Sequence, residues 1–310
     1  MDCLASTPRS NRNVTQRHLP LLSLIACCGL NLSALVGLSP APVRAQSMEP
    51  GVCPPSGSVS SADLAAQFPS TLPAGSACRS TPSRYEIKVY KMALCTADPI
   101  AGATVDLSSC QITYDNPAGQ TADLYGAGGS STVDLSSLGS TRPANGSYGY
   151  AYIQMQNTFG LRNEYATTDT TYKSSSALDS WGMSVAKTSG SAENYTITMS
   201  KFGGGAAGSC SATVPLGAGS LSAELVDSSL ATINYDSSGS GQCPGSAYIT
   251  ARMALNTPVT ISDNTLGLAA TFSVTNNGST VIINDNPFLG PIGVNSFDGG
   301  PFEVTFRVVE

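Results

Sequence analysis

The sequence predicts an all-β fold: a disulfide-stapled antiparallel β-sandwich or jelly-roll-like domain with a small N-terminal cap. Three observations predict it. Short runs with a two-residue apolar period recur along the chain, separated by Gly, Pro, Asn and Asp. Helical periodicity is confined to one short segment near the start. Nine cysteines are present, three of them in a leader, and the remaining six make an even set of the kind that builds a disulfide framework.

The leader is read first, because it is an address rather than structure. Arg9, Arg12 and Arg17 precede an apolar run over 19–38, then Pro40, Pro42 and the small-residue end Val43-Arg44-Ala45. That order is the layout of a secretory signal peptide over 1–45, cleaved after Ala45. Pro20, Gly29 and Asn31 interrupt the run, which argues against a retained span. Leu24-Ile25-Ala26-Cys27 also fits a bacterial lipobox, so a lipid anchor at Cys27 is the alternative. The expected location is secreted or cell-surface, with periplasmic or lipid-anchored as the other outcome. The lipobox-like leader leans bacterial, which leaves the glycosylation sequons at Asn145, Asn194 and Asn277 unused.

Residues 46–83 form a Pro- and Ser-rich cap or arm. It contains a helix over 61–68 with Ser60 or Ser61 as N-cap and Pro69 as its stop. The cysteines are expected to pair in sequence order: Cys53 with Cys78, Cys95 with Cys110, and Cys210 with Cys243. The β-domain proper spans 84–310 and opens with a strand over 85–95. There Tyr85, Ile87 and Val89 alternate, and then Met92 and Leu94 do so one residue out of phase. A one-residue slip flips side chains to the other face, so a bulge is expected near Val89–Tyr90. The loop over 97–110, closed by Cys95 and Cys110, is about 15 residues long, worth roughly 3 kcal/mol of loop-closure entropy.

Further strands are expected over 111–114, 148–156, 163–173, 183–188, 195–200 and 230–235, with 206–245 otherwise loop-rich. ATVDLSSC (103–110) returns as STVDLSSL (131–138), read as two similar strand–turn pieces. Strands over 247–255 and 259–262 flank Pro258. A strand over 268–275 is expected to return as 280–284 through a type I′ turn at Asn277-Gly278. Phe302, Val304, Phe306 and Val308 then alternate in a last strand.

Chemistry is conspicuous by what the sequence lacks. The single histidine, His18, sits in the leader, so residues 46–310 hold no imidazole for a nucleophile pair or a metal. No GxSxG elbow, Walker loop or dinucleotide fingerprint is present. Ser184 and Lys187 match SxxK, but that chemistry wants a helix and this stretch reads as strand. The acidic residues are scattered with no pattern that pairs two of them across a glycosidic bond. No four-cysteine spacing suits zinc.

Charged residues are only 12% of the chain, with 15 Lys+Arg against 21 Asp+Glu. That acidity argues against a nucleic-acid partner and against an anionic lipid surface.

What remains is binding by surfaces. Tyr148, Tyr150 and Tyr152 share one strand face and, with Trp181, could stack on sugar rings. The more ordinary role of such tyrosines is to stiffen a core as cross-strand partners. Asp263, Asp285 and Asp298 lie in stretches read as loops and carry oxygen ligands suited to calcium, although no EF-hand loop is present. No other cofactor is expected. The expected function is therefore an exported, non-catalytic structural or adhesive protein that associates with itself or with other surface proteins, through terminal strands or the N-terminal arm. The alternative is a carbohydrate-binding module using the tyrosine stripe, with or without calcium.

Overall fold

Alternation writes strands through almost the whole chain. In the computed structural model, residues 51–69, 76–125, 130–134, 141–202, 208–216, 219–237, 241–288 and 290–310 are described. The leader, with Cys27 and the expected cleavage after Ala45, lies outside them. One helix, α1 (Ser61–Gln67), precedes the strands β1 (Ser76–Ser80), β2 (Arg84–Cys95), β3 (Cys110–Asp123), β4 (Ser130–Asp134), β5 (Gly146–Gln156) and β6 (Thr158–Arg162). Next come β7 (Glu164–Ala166), β8 (Thr171–Leu178), β9 (Ser184–Lys187), β10 (Tyr195–Thr198), β11 (Ser211–Leu216) and β12 (Gly219–Val226). The series ends with β13 (Tyr248–Ile261), β14 (Gly267–Ser273), β15 (Ser279–Asn284), β16 (Gly293–Gly299) and β17 (Glu303–Val309).

These strands form three antiparallel sheets among the described residues. In the eight-stranded sheet, β2 carries β3 along one edge and β6 followed by β5 along the other. From β5 the sheet continues to β13, β12 and β11, and β10 flanks β6. A six-stranded sheet runs β1-β15-β16-β9-β8-β7, and a three-stranded one runs β17-β14-β4. One apolar core joins all three, giving the sandwich-like, all-β arrangement. Its centre is aromatic: Tyr85 meets Phe159 and Phe302 edge-on at 5.9 and 6.0 Å, and Phe302 meets Phe272 at 5.9 Å. Such pairs add to the area they bury.

The bulge in β2 lies where the phase slip placed it, between Val89 and Lys91. The three disulfides also close in sequence order, Cys53–Cys78, Cys95–Cys110 and Cys210–Cys243. In α1 the Ser60 side chain accepts from the Asp63 N–H, a standard N-cap, and Leu64 is fully buried. The helix docks through Ser61, whose hydroxyl accepts from Tyr172 Oη at 2.8 Å and donates to Asp169.

Several local expectations are corrected. The strand expected over 163–173 is two strands, β7 and β8, because Thr167 turns the chain: its N–H and hydroxyl both donate to Thr170 O. The loop-rich stretch contains the β11–β12 hairpin instead of a strand over 230–235. Leu230 has a positive φ of 65°, and Asp227 Oδ1 accepts from the Ser229 and Ala231 N–H groups, so this piece is a turn. Pro258 does not split a strand: β13 runs through it, with the ladder slipping between Ala254 and Val259 where no N–H is required. Of residues 103–110 only Cys110, which opens β3, lies in a strand; of their echo, 131–134 lie in β4 and 135–138 fall outside the described residues.

The expected hairpin over 268–284 is also absent. β14 pairs with β17 and β4, whereas β15 pairs with β1 and β16. The turn between them carries the chain from one sheet to the next. Its positive φ belongs to Asn276 (54°), and the Gly278 N–H donates back to Val274 O at 2.9 Å. This corner is buried, since a Cβ on Gly278 would stand 2.6 Å from Val274 Cβ and 3.1 Å from both Pro82 and Tyr85. Glycine is thus required for close approach and not for its dihedral range. Gly278→Ala is expected to cost about 1–3 kcal/mol by overpacking. Urea midpoints check this, and an unchanged midpoint would mean that the corner opens freely.

Candidate apolar binding site

The inner face of the eight-stranded sheet is built by alternation and register together. On β13, Ile249, Ala251 and Met253 face inward; on β12, Leu221, Ala223 and Leu225 do so. Register sets Ala212 of β11 opposite Ala223, Ala223 opposite Ala251, Ala251 opposite Ile153 of β5, and Ile153 opposite Met92 of β2. Three alanines therefore lie side by side across three neighbouring strands. Strands stand about 4.8 Å apart, so this row is about 10 Å long.

The flanking rows, two residues away along each strand, are about 6.7 Å to either side. They carry Met155, Ile249 and Leu225 on one side and Met253, Leu221 and Val214 on the other. Methyl groups between branched and thioether walls leave a trough. Phe272 of β14, Val304 of β17 and the Pro301–Phe302 corner roof it, with Phe202 and Met199 beside them.

The result is a cavity of about 240 Å³. No charged side chain lines it among the described residues. Of the two tyrosines in its lining, Tyr85 commits its hydroxyl to Gly300 O at 2.7 Å, and burial pushes its pKa up. The Tyr152 ring belongs to a second cluster on the outer face, with Ala93, Cys95 and Ile100. Exposure grades along the trough: Ala251 and Met92 are buried, whereas Ala212, Val214 and Ala223 are half-buried. The mouth is therefore at the β11–β12 end.

The residues singled out from sequence fall elsewhere. Tyr148 is buried in the main core, its hydroxyl donating to Ala144 O at 2.8 Å. Tyr152 and Tyr150 lie on the outer face, where the strap over 97–109, tied by Cys95–Cys110, lays Val105 and Leu107 against them. Tyr150 is half-buried beneath the Arg252 guanidinium, which pairs with Asp98 at 2.8 Å. Trp181 stands apart in the β8–β9 turn of the six-stranded sheet, 75% exposed, its backbone N–H donating to Asp179 Oδ1 at 2.8 Å. The structure does not assemble these four into one surface.

Asp263 accepts from Asn145, Asp285 follows β15, and Asp298 lies inside β16 instead of the expected loop. Among the described residues no three His, Cys, Asp or Glu side chains gather as for a metal ion. Ser184 is fully buried and trades hydrogen bonds with the backbone of Ser175, and Lys187 pairs with Glu193. Three apart on a strand, the SxxK pair points to opposite faces.

No protein-family model matches the chain, and neither a curated protein nor a solved structure matches it.

The Asp298 carboxyl is turned inward beside Tyr85 and Tyr195. Burial raises its pKa above the ordinary 3.8, the Gly299 N–H at 2.8 Å pulls it back in part, and Asp179 adds to the rise. A raised folded-state pKa favours folding fully below the unfolded value, and that contribution is lost as pH climbs through the folded one. Asp298→Asn keeps an acceptor for Gly299. It is expected to raise the urea midpoint at pH 7 and leave it unchanged at pH 3; an equal shift at both would show that titration is not involved.

Proposed function

We propose that this chain is an exported, non-catalytic binding protein that holds a small apolar molecule in the alanine-floored cavity. The observation that carries this reading is the cavity itself, about 240 Å³ of space with no charged side chain among the described residues that line it. Left dry and empty, a void of that size costs up to about 6 kcal/mol at roughly 24 cal/mol per Å³. That is a large part of a domain's 5–15 kcal/mol of stability, roughly stated. A guest that fills the space offsets the cost, and apolar pockets with few polar groups are the usual form of small-molecule sites. Export is supported by the leader's layout and by three disulfides, and no helix of the described residues is long and apolar enough to cross a membrane.

One observation favours a second reading, surface assembly by strand pairing. Among the described residues β17 pairs only with β14, which makes its other edge the candidate for strand pairing. The two readings are compatible, since the cavity mouth lies at β11–β12.

The test uses the full chain expressed with its leader and the neutral dye Nile red. Wild type is expected to bind one dye with a large gain in emission. Ala223→Glu, a charge on the half-buried floor, is expected to weaken binding at least tenfold without loss of the native fold by circular dichroism. A wild-type protein that leaves the dye dark would refute the reading.

A further inference from the structure

We infer that the natural guest is a single unbranched aliphatic chain, inserted tail-first along the alanine row with its polar head left outside β11. This rests on the apolar-binding reading of the same cavity. The shape argues for a chain. Alanine methyls at 212, 223 and 251 make a floor one side chain wide, and the walls rise from residues two positions away on every strand. A fused-ring guest would need two such rows.

The direction follows from burial. At the inner end the row meets Ile153 and Met92, both buried and roofed by Phe272; at the outer end Ala212 and Val214 are half-exposed. Among the described residues the inner end offers a head group only the Tyr85 hydroxyl, already committed to Gly300 O, so a head buried there would go unpaired. The tail must therefore go in first. Met92, Met155 and Met253 give the walls adaptable thioethers, which suits a guest with many conformers.

Size follows from volume and length. The cavity holds about 240 Å³, and its alanine floor is about 10 Å long, the span of about eight carbons of extended chain. The cavity then works as a ruler: carbons beyond about the eighth protrude through the mouth and gain little.

The test is Nile red displacement by straight-chain 1-alkanols of increasing length on the full chain. Affinity is expected to rise about fourfold per methylene and to level off near eight carbons. Ala251→Phe, which plugs the inner floor, is expected to move that plateau several carbons shorter while short alcohols keep their affinity; Ala251→Val is the milder plug should Phe disturb folding. Ala212→Phe, at the mouth, is expected to weaken all lengths by a similar factor. An unchanged plateau in both plugged variants would overturn the tail-first assignment. Tight uptake of a rigid sterol with no dependence on chain length would overturn the aliphatic class but leave apolar binding standing. No uptake of any probe, dye included, removes both. A stable dimer by light scattering with no uptake would give the trough to a second copy and overturn the proposal.

Discussion

The extra residue in β2 is the constraint on which both faces of the large sheet depend. Tyr85, Ile87 and Val89 face the core before the slip, and Met92 and Leu94 face it afterwards. Tyr90 and Lys91 both lie outward between them, in contact with Tyr248 and Asp115. Without the slip, Ala93 and Cys95 would point inward, and Met92 would leave the inner end of the trough. Cys95 could then not meet Cys110 on the outer side. A single bulge thus sets the ring cluster around Tyr85, the depth of the cavity and the anchorage of the outer strap.

The two faces of this sheet divide the chemistry. The inner side is apolar, with no charged side chain among the described residues that line the cavity. Across the outer side, register lines up Glu224, Thr250, Gln154, Lys91 and Asp115 on five neighbouring strands. Beside that row Arg252 reaches Asp98 on the strap, and Lys91 reaches Asp115 at 3.1 Å. Partly exposed pairs of this kind add little stability. Thr250 and Gln154 of the row are nevertheless buried, and the strap covers Tyr150 and Tyr152 beside them.

Much of the fold was legible in the sequence, because strand faces depend on parity alone. The alternation in β2, its slip, the N-cap of α1 and the sequential cysteine pairs all rest on neighbours close in the chain. What could not be read was pairing between distant strands. Asn277-Gly278 looks like a hairpin turn locally, yet β14 takes β17 and β4 as partners, and no local signal reports that. The trough is the clearest case. Ala212, Ala223 and Ala251 are unremarkable small residues in three separate strands, and only the register 212–223–251 makes them one feature. The tyrosine stripe failed in the same way: its alternation was plain, but nothing in β5 itself announces that residues 97–109 will lie over it.

The disulfides bear on how the molecule matures. Each bond joins cysteines no more than 33 residues apart, and the last cysteine, Cys243, precedes β13. None of the three needs the final five strands in order to form. The loops can therefore close in chain order before the later strands are present, with little opportunity for scrambled partners. The segment from β13 onward then docks onto a scaffold already covalently tied, and it is this late-arriving portion that supplies Ala251 to the floor and Phe272 and Phe302 to the roof.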